Sequence, residues 1–185
     1  RHYFVTPIAY VVIASFWAAS GFFFSFNVLF VSAVEMVTAF HNMSLLLMLM
    51  VPLISMRTFA EERHNDTLEL LLTLPLGEFS IVLAKYSALL VVLLLMLVGS
   101  SAAVVVLTIF GEPDYGPIIG GYLGVFLLGA AFASIGVLVS ALSINQVVAA
   151  IATWASLLFL WFMDYLVALF PGSDAVVWIQ HLSLS

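Results

Sequence analysis

The chain predicts an all-α, polytopic membrane helical bundle, and three observations carry that prediction. Of 185 residues, 65% are hydrophobic and only 8% are charged, whereas soluble domains run near a quarter charged. Mean hydropathy is +1.26. The apolar residues fall in runs of about twenty, the length that crosses a bilayer as a helix. Backbone inside lipid must satisfy its own hydrogen bonds, which favours helices, and these runs lack the short alternation of barrel strands. There is no Cys, so a disulfide framework and a thiolate metal site are excluded.

Taken in order, Arg1 to Thr6 is short and aromatic, and Thr6-Pro7 reads as an N-cap followed by the first helical residue. Arg1 in place of Met suggests a trimmed or partly ordered chain, and nothing resembles a cleavable signal peptide. The first span is expected over Ile8–Phe30. Asn27 to Asn42, with Glu35 and His41, reads as a lipid-surface or re-entrant stretch. The second span ends at Met56, and Pro52 in its last turn should kink it by removing one backbone bond. Arg57 to Lys85 is polar by comparison. The third span is expected over Ile81–Ile109, followed by a Gly/Pro turn at 110–117. The fourth covers Ile118–Leu142, Ser143 to Gln146 forms a tight polar turn, and the fifth covers Val147–Phe170. Pro171 to Asp174 breaks the chain, and the residues after it are too few to span.

Orientation follows from the four basic residues. Arg1 precedes the first span, while Arg57, Arg63 and Lys85 fall between the second and third. Two spans separate these places, so all four share one face, which the positive-inside rule makes cytoplasmic. The opposite loops hold Glu35, Glu112, Asp114 and Asp174 and no Lys or Arg. Five spans with the N-terminus inside leave Ser185 outside, which invites a sixth span in the full protein. The net charge of −6 comes from loop acids and says little about partners.

In the fourth span, Gly120 and Gly124 form a GxxxG pair, followed by Gly129/Ala133 and Gly136/Ser140. Small residues at this spacing let helices approach closely in lipid. Two readings stand side by side: packing within the chain, and contact between two copies of it.

The polar segment is the informative one. Thr58-Phe-Ala-Glu61 matches a capping box with Thr58 as N-cap, and Asp66-Thr-Leu-Glu69 matches a second with Asp66 as N-cap. Two short helices with a break at His64-Asn65 are expected, the second running Thr67 to Leu74 and stopped by Pro75. Leu68, Leu71, Leu72 and Phe79 would face lipid or the span ends, with Glu61, Glu62, Arg63 and Glu69 projecting away. Lys85 is placed to snorkel to the interface. The bland reading is an ordinary charged loop. Against it, the segment is longer than a hairpin needs, and it carries caps and a Pro stop.

Residues 52–63 (Pro-Leu-Ile-Ser-Met-Arg-Thr-Phe-Ala-Glu-Glu-Arg), 67–75 (Thr-Leu-Glu-Leu-Leu-Leu-Thr-Leu-Pro) and 81–86 (Ile-Val-Leu-Ala-Lys-Tyr) resemble the permease subunits of ABC-2 type transporters. Tyr3-Phe4 with Pro7 to Val11 is similar to the start of the first span in the branch holding gliding-motility-type and nitrous-oxide-reductase-maturation-type permeases. Trp178 to Ser185 resembles the segment before that family's last span. The resemblance covers nearly the whole chain, with the central motif the more specific part. It implies a type V exporter-like domain over 1–185, six spans, an elbow helix before the first, and a bacterial inner-membrane location. It also implies a second permease copy or a paralogous membrane subunit, and an ABC ATP-binding subunit docked on the 57–80 segment. On this reading Arg57, Glu61, Glu62, Arg63, Asp66, Thr67 and Glu69 couple to the ATPase, with Lys85 at the cytoplasmic interface. The acids would cap the segment's helices or meet basic groups of the ATPase. Asp66 departs from the family, which usually has Gly there; Asp tolerates left-handed backbone and caps helices well.

No Gly-x-x-x-x-Gly-Lys-Ser/Thr loop is present, so ATP and Mg belong to a partner and the chain needs no cofactor of its own. No nucleic acid partner is expected. An intramembrane metalloprotease would need His-Glu-x-x-His, which is missing, and His41, His64 and His181 are scattered. A serine protease would need a base near Gly99-Ser100-Ser101, and the third span offers none. An ion-coupled carrier needs ionisable groups near midplane. The one acid deep in a span, Asp164, lies far enough past Gln146 to reach the outer interface; the functional alternative makes it part of an outer exit. Aromatic and aliphatic walls fit an amphipathic or lipid-like substrate, or a polypeptide moved mechanically.

Overall fold

The computed structural model describes residues 7–26, 36–64, 77–110 and 115–169. Seven helices occur among them: α1 (Pro7–Phe26), α2 (Met36–Ser55), α3 (Ala60–His64), α4 (Glu78–Ser100), α5 (Ala102–Phe110), α6 (Tyr115–Leu142) and α7 (Gln146–Leu169). No strand occurs among the described residues. Among the described residues four stretches are long and apolar enough to cross a membrane: Ala9–Phe26, Met36–Arg63, Phe79–Ile109 and Tyr115–Leu142. The fifth, α7, has 24 residues, about 36 Å of helix against a hydrocarbon core of about 30 Å.

α2 and α6 pack along each other at the centre, α7 lies against both, and α1 and α4 complete the bundle. The core where they meet is mostly apolar, with Phe16, Leu47, Leu89, Leu93, Met96, Phe132 and Leu157 fully buried, joined by the small polar Ser55 and Thr153. Between helices, polar side chains bond backbone carbonyls. Trp17 donates its indole N–H to Met96 (3.1 Å), Tyr86 its hydroxyl to Ala130 (3.1 Å) and Trp154 its indole N–H to Leu49 (3.1 Å). These bonds stitch α1 to α4, α4 to α6, and α7 to α2.

One expectation changes and two gain detail. Met36 to Asn42 is not a re-entrant stretch but the first turns of α2. Ala39 and Met43 are buried, and Phe40 meets the Tyr122 ring edge-on at 5.2 Å and 84°, so this stretch earns its helical place by packing on α6. The third span holds as predicted, over Phe79–Ile109, and is built of two helices that meet at Ser101. Ser100 and Ser101 turn their hydroxyls back to the carbonyls of Leu97 and Val98, a local competition that disturbs a helix ladder, and α4 ends there. Gly99, just before the break, is needed bare: a Cβ would fall 1.9 Å from the Trp17 ring.

The small residues of α6 fall into two groups. Gly129 faces Leu93 and Leu47, and Gly136 faces Ser55, where a Cβ would meet Oγ at 2.2 Å. Those positions serve packing within the chain. A Cβ at Gly120 or Gly124 would have no atom within 4 Å.

Candidate functional site

Met56 to His64 leaves α2, turns, and forms α3 at the end of the bundle where Arg57, Arg63 and Lys85 gather. The turn is closed by backbone bonds from Met56 N–H to Pro52 and from Thr58 N–H to Ser55. The Arg63 N–H then donates to the Phe59 carbonyl (3.0 Å), which makes Phe59, and not Thr58, the residue that opens α3.

The amides at this helix start are satisfied from across the bundle. The Ser140 hydroxyl on α6 accepts from Phe59 N–H (3.1 Å) and Ala60 N–H (3.2 Å), and donates to the Met56 carbonyl (3.1 Å). That exhausts the one donor and two acceptor sites of a hydroxyl. Thr58, placed by the sequence as the N-cap, is 1% exposed, and its Oγ1 has no hydrogen-bond partner. The capping box is therefore not formed. A capping rule sees residues within one turn, and here a serine in another helix occupies the position.

Two further contacts hold the connector. The Lys85 ammonium on α4 donates to the Thr58 carbonyl and to the Glu62 carboxylate, and sits 4.0 Å from the centroid of the Phe59 ring. Lys85 is 12% exposed and Glu62 29%, so this ion pair is partly desolvated. The Lys85 amine thus turns onto the connector instead of away from the bundle, and Glu62 turns inward to meet it. Arg63 donates from Nη1 to the Ser143 carbonyl at the end of α6 (3.4 Å). Arg57 lies 3.8 Å from Glu61, both side chains being partly exposed, and the Arg57 Nε is buried without a hydrogen-bond partner.

Asn145 caps α7 by accepting from Val147 N–H (3.0 Å), so the predicted Ser143–Gln146 turn exists and lies beside the connector. Asp66, Thr67 and Glu69, with the second helix expected around them, lie outside the described residues, as do Thr6 and residues 27–35 and 170–185. Asp164 is in α7, 18 residues past Gln146, or about 27 Å along the axis. It stands one turn beyond Trp161, whose ring is 5.8 Å from that of His41 near the start of α2. Sequence reasoning missed Ser140 and Ser143 as connector partners; the Gly136/Ser140 spacing was the signal that could have found the first.

Among the described residues no cluster of His, Asp or Glu could hold a metal. Between α4 and α6, an open apolar groove of about 390 Å³ is lined by Leu94, Leu97, Val98, Ile119, Leu123 and Phe126, among others.

Long apolar helices, with their polar contacts gathered at a connector bonded to two of them, define a multi-pass membrane protein. Its family is given by residues 2–163, which match the family described as ABC-2 family transporter protein, and the chain belongs to it. It is a permease component of an ABC transporter, a membrane transport component that is not itself catalytic. Comparison with curated proteins and comparison with solved structures each return no match.

Proposed function

We propose that this permease couples ATP hydrolysis on a separate ABC ATP-binding subunit to export or mechanical work across a bacterial inner membrane. The connector that begins at Arg57 is the coupling segment. The observation that carries this reading is its triple attachment: Lys85 on α4, Ser140 and the Ser143 carbonyl on α6. A loop that merely joined two spans would need none of these. A push on α3 reaches α4 and α6 directly, so the moving parts include the fourth span as well as the second and third.

The basic end is the cytoplasmic one, which puts the start of α1 inside. Arg57 and Glu61, both partly exposed, are the groups that meet the ATPase, together with Asp66, Thr67 and Glu69 further along. Such exposed pairs contribute about 1 kcal/mol or less each, so shape and leucine packing carry most of the docking. Gly120 and Gly124 pack against a second permease copy or a paralogous subunit, and Asp164 belongs to the outer exit. The gliding-motility and nitrous-oxide-reductase-maturation branch is the placement that the first span favours. The apolar groove beside α4 supports an amphipathic or lipid-like substrate.

Purification in mild detergent through a tag on this chain should recover a stoichiometric ATP-binding subunit. Glu62→Ala with Arg63→Ala should then lower the permease's stimulation of that subunit's ATPase. Unchanged stimulation removes the coupling role of the segment.

A further inference from the structure

Thr58 and Ser140 are rivals for one backbone amide. Ser140, itself 1% exposed, holds the Ala60 N–H from α6. A Thr58 acting as N-cap of its own capping box would take the amide two or three residues on, that of Ala60 or Glu61. Its Oγ1 is buried and bonds nothing. Buried hydroxyls ordinarily find partners, and one that has none calls for an explanation. The explanation lies in the sequence: Thr58-Phe-Ala-Glu61 is a complete local cap, displaced by a distant one.

We propose that Ser140 is a positioning residue that locks the connector onto α6, and that Thr58 is the cap of a second, released state. As the connector leaves α6, the Phe59 and Ala60 amides lose Ser140. Left alone they would be orphan donors at a helix start, which is unfavourable. Thr58 then takes the Ala60 or Glu61 amide, Glu61 can reach back to the Thr58 amide, and the helix gains Phe59 as its first residue. The hydroxyl idle in the docked state becomes bonded in the released one, so the helix start keeps a cap in both. Gly136, one turn before Ser140, sets the docking distance by letting Ser55 approach. The part this exchange plays in transport rests on the coupling reading above; the exchange itself does not.

Thr58→Val separates the two states, because it keeps the side-chain shape and removes only Oγ1. In the docked state it deletes a hydroxyl that bonds nothing, so the full chain in detergent should melt at or above the wild-type temperature. In the released state it deletes the cap, so ATP-driven turnover of the purified complex should fall about fivefold, the equilibrium weight of one helix cap. A merely structural threonine would move both readouts the same way. Ser140→Ala should melt lower. With spin labels at His64→Cys, the last residue of α3, and Leu142→Cys, it should also populate a second distance, which adding Thr58→Val abolishes. A Thr58→Val chain that melts lower or fails to fold overturns the exchange. So does a Ser140→Ala chain with wild-type distances, or a second distance that survives in the double variant. If Glu62→Ala lowers turnover and Thr58→Val does not, the exchange has no part in transport. If neither lowers it, the coupling reading fails, while the label distances still decide the exchange.

Discussion

Lys85 carries more of this molecule than its sequence position suggests. It lies in the second turn of α4, and its ammonium serves a backbone carbonyl, a carboxylate and an aromatic face, all on the connector. Lys85→Met keeps the apolar stem and removes those interactions, so it should lower stability by about 2 kcal/mol, read as a lower melting temperature in detergent. Lys85→Arg should restore less than half of the loss, because a planar guanidinium does not reproduce a compact three-donor ammonium. The charge of Lys85 and its closeness to one end of the bundle were legible in the sequence. Its target was not, since the hydropathy of a span says nothing of which way a snorkelling side chain turns. Thr58 teaches the same lesson from the other side: the local motif predicted a cap, and a distant hydroxyl caps the helix instead.

At the scale of elements, the spans were legible almost to their ends, because bilayer thickness fixes the length of an apolar run. The ends of α2 and α6 and the start of α7 follow the predicted polar punctuation, at Met56, Leu142 and the Ser143–Gln146 turn, whereas α2 starts at Met36 and α6 at Tyr115, inside stretches expected to be non-spanning. What hydropathy could not show was which small residues face inward. Gly120, Gly124, Gly129 and Gly136 look alike in the sequence, yet the latter two are packed by Leu93, Leu47 and Ser55 while the former two meet nothing. Gly120→Leu and Gly124→Leu should therefore leave the melting temperature of the isolated chain unchanged within experimental scatter. If a second copy packs there, the same changes should abolish crosslinking between copies in the membrane. Wild-type crosslinking would assign that face to lipid instead.

For the whole molecule, α2 is the element that touches α1, α6 and α7, and its end delivers the connector. Among the described residues the charged contacts gather at that end, while single polar side chains tie the helices together elsewhere. The cytoplasmic assignment of that end is open to a direct check, since the chain has no Cys to interfere. Glu61→Cys should react with a membrane-impermeant maleimide only in inside-out vesicles. Tyr115→Cys, at the opposite end and exposed, should react only in right-side-out ones. The reverse pattern would invert the topology and remove the ATPase from this face.

The long reach of Ser140 also has a consequence for biosynthesis. Lys85 follows Thr58 by 27 residues, whereas Ser140 follows Ala60 by 80. With chains growing at about 5–20 residues per second, α6 reaches the translocon several seconds after α4. Throughout that interval the connector can be held by Lys85 alone, and Thr58 is the nearby hydroxyl suited to start its helix. On the exchange proposed above, the nascent protein passes through the locally capped connector before it ever acquires the docked one.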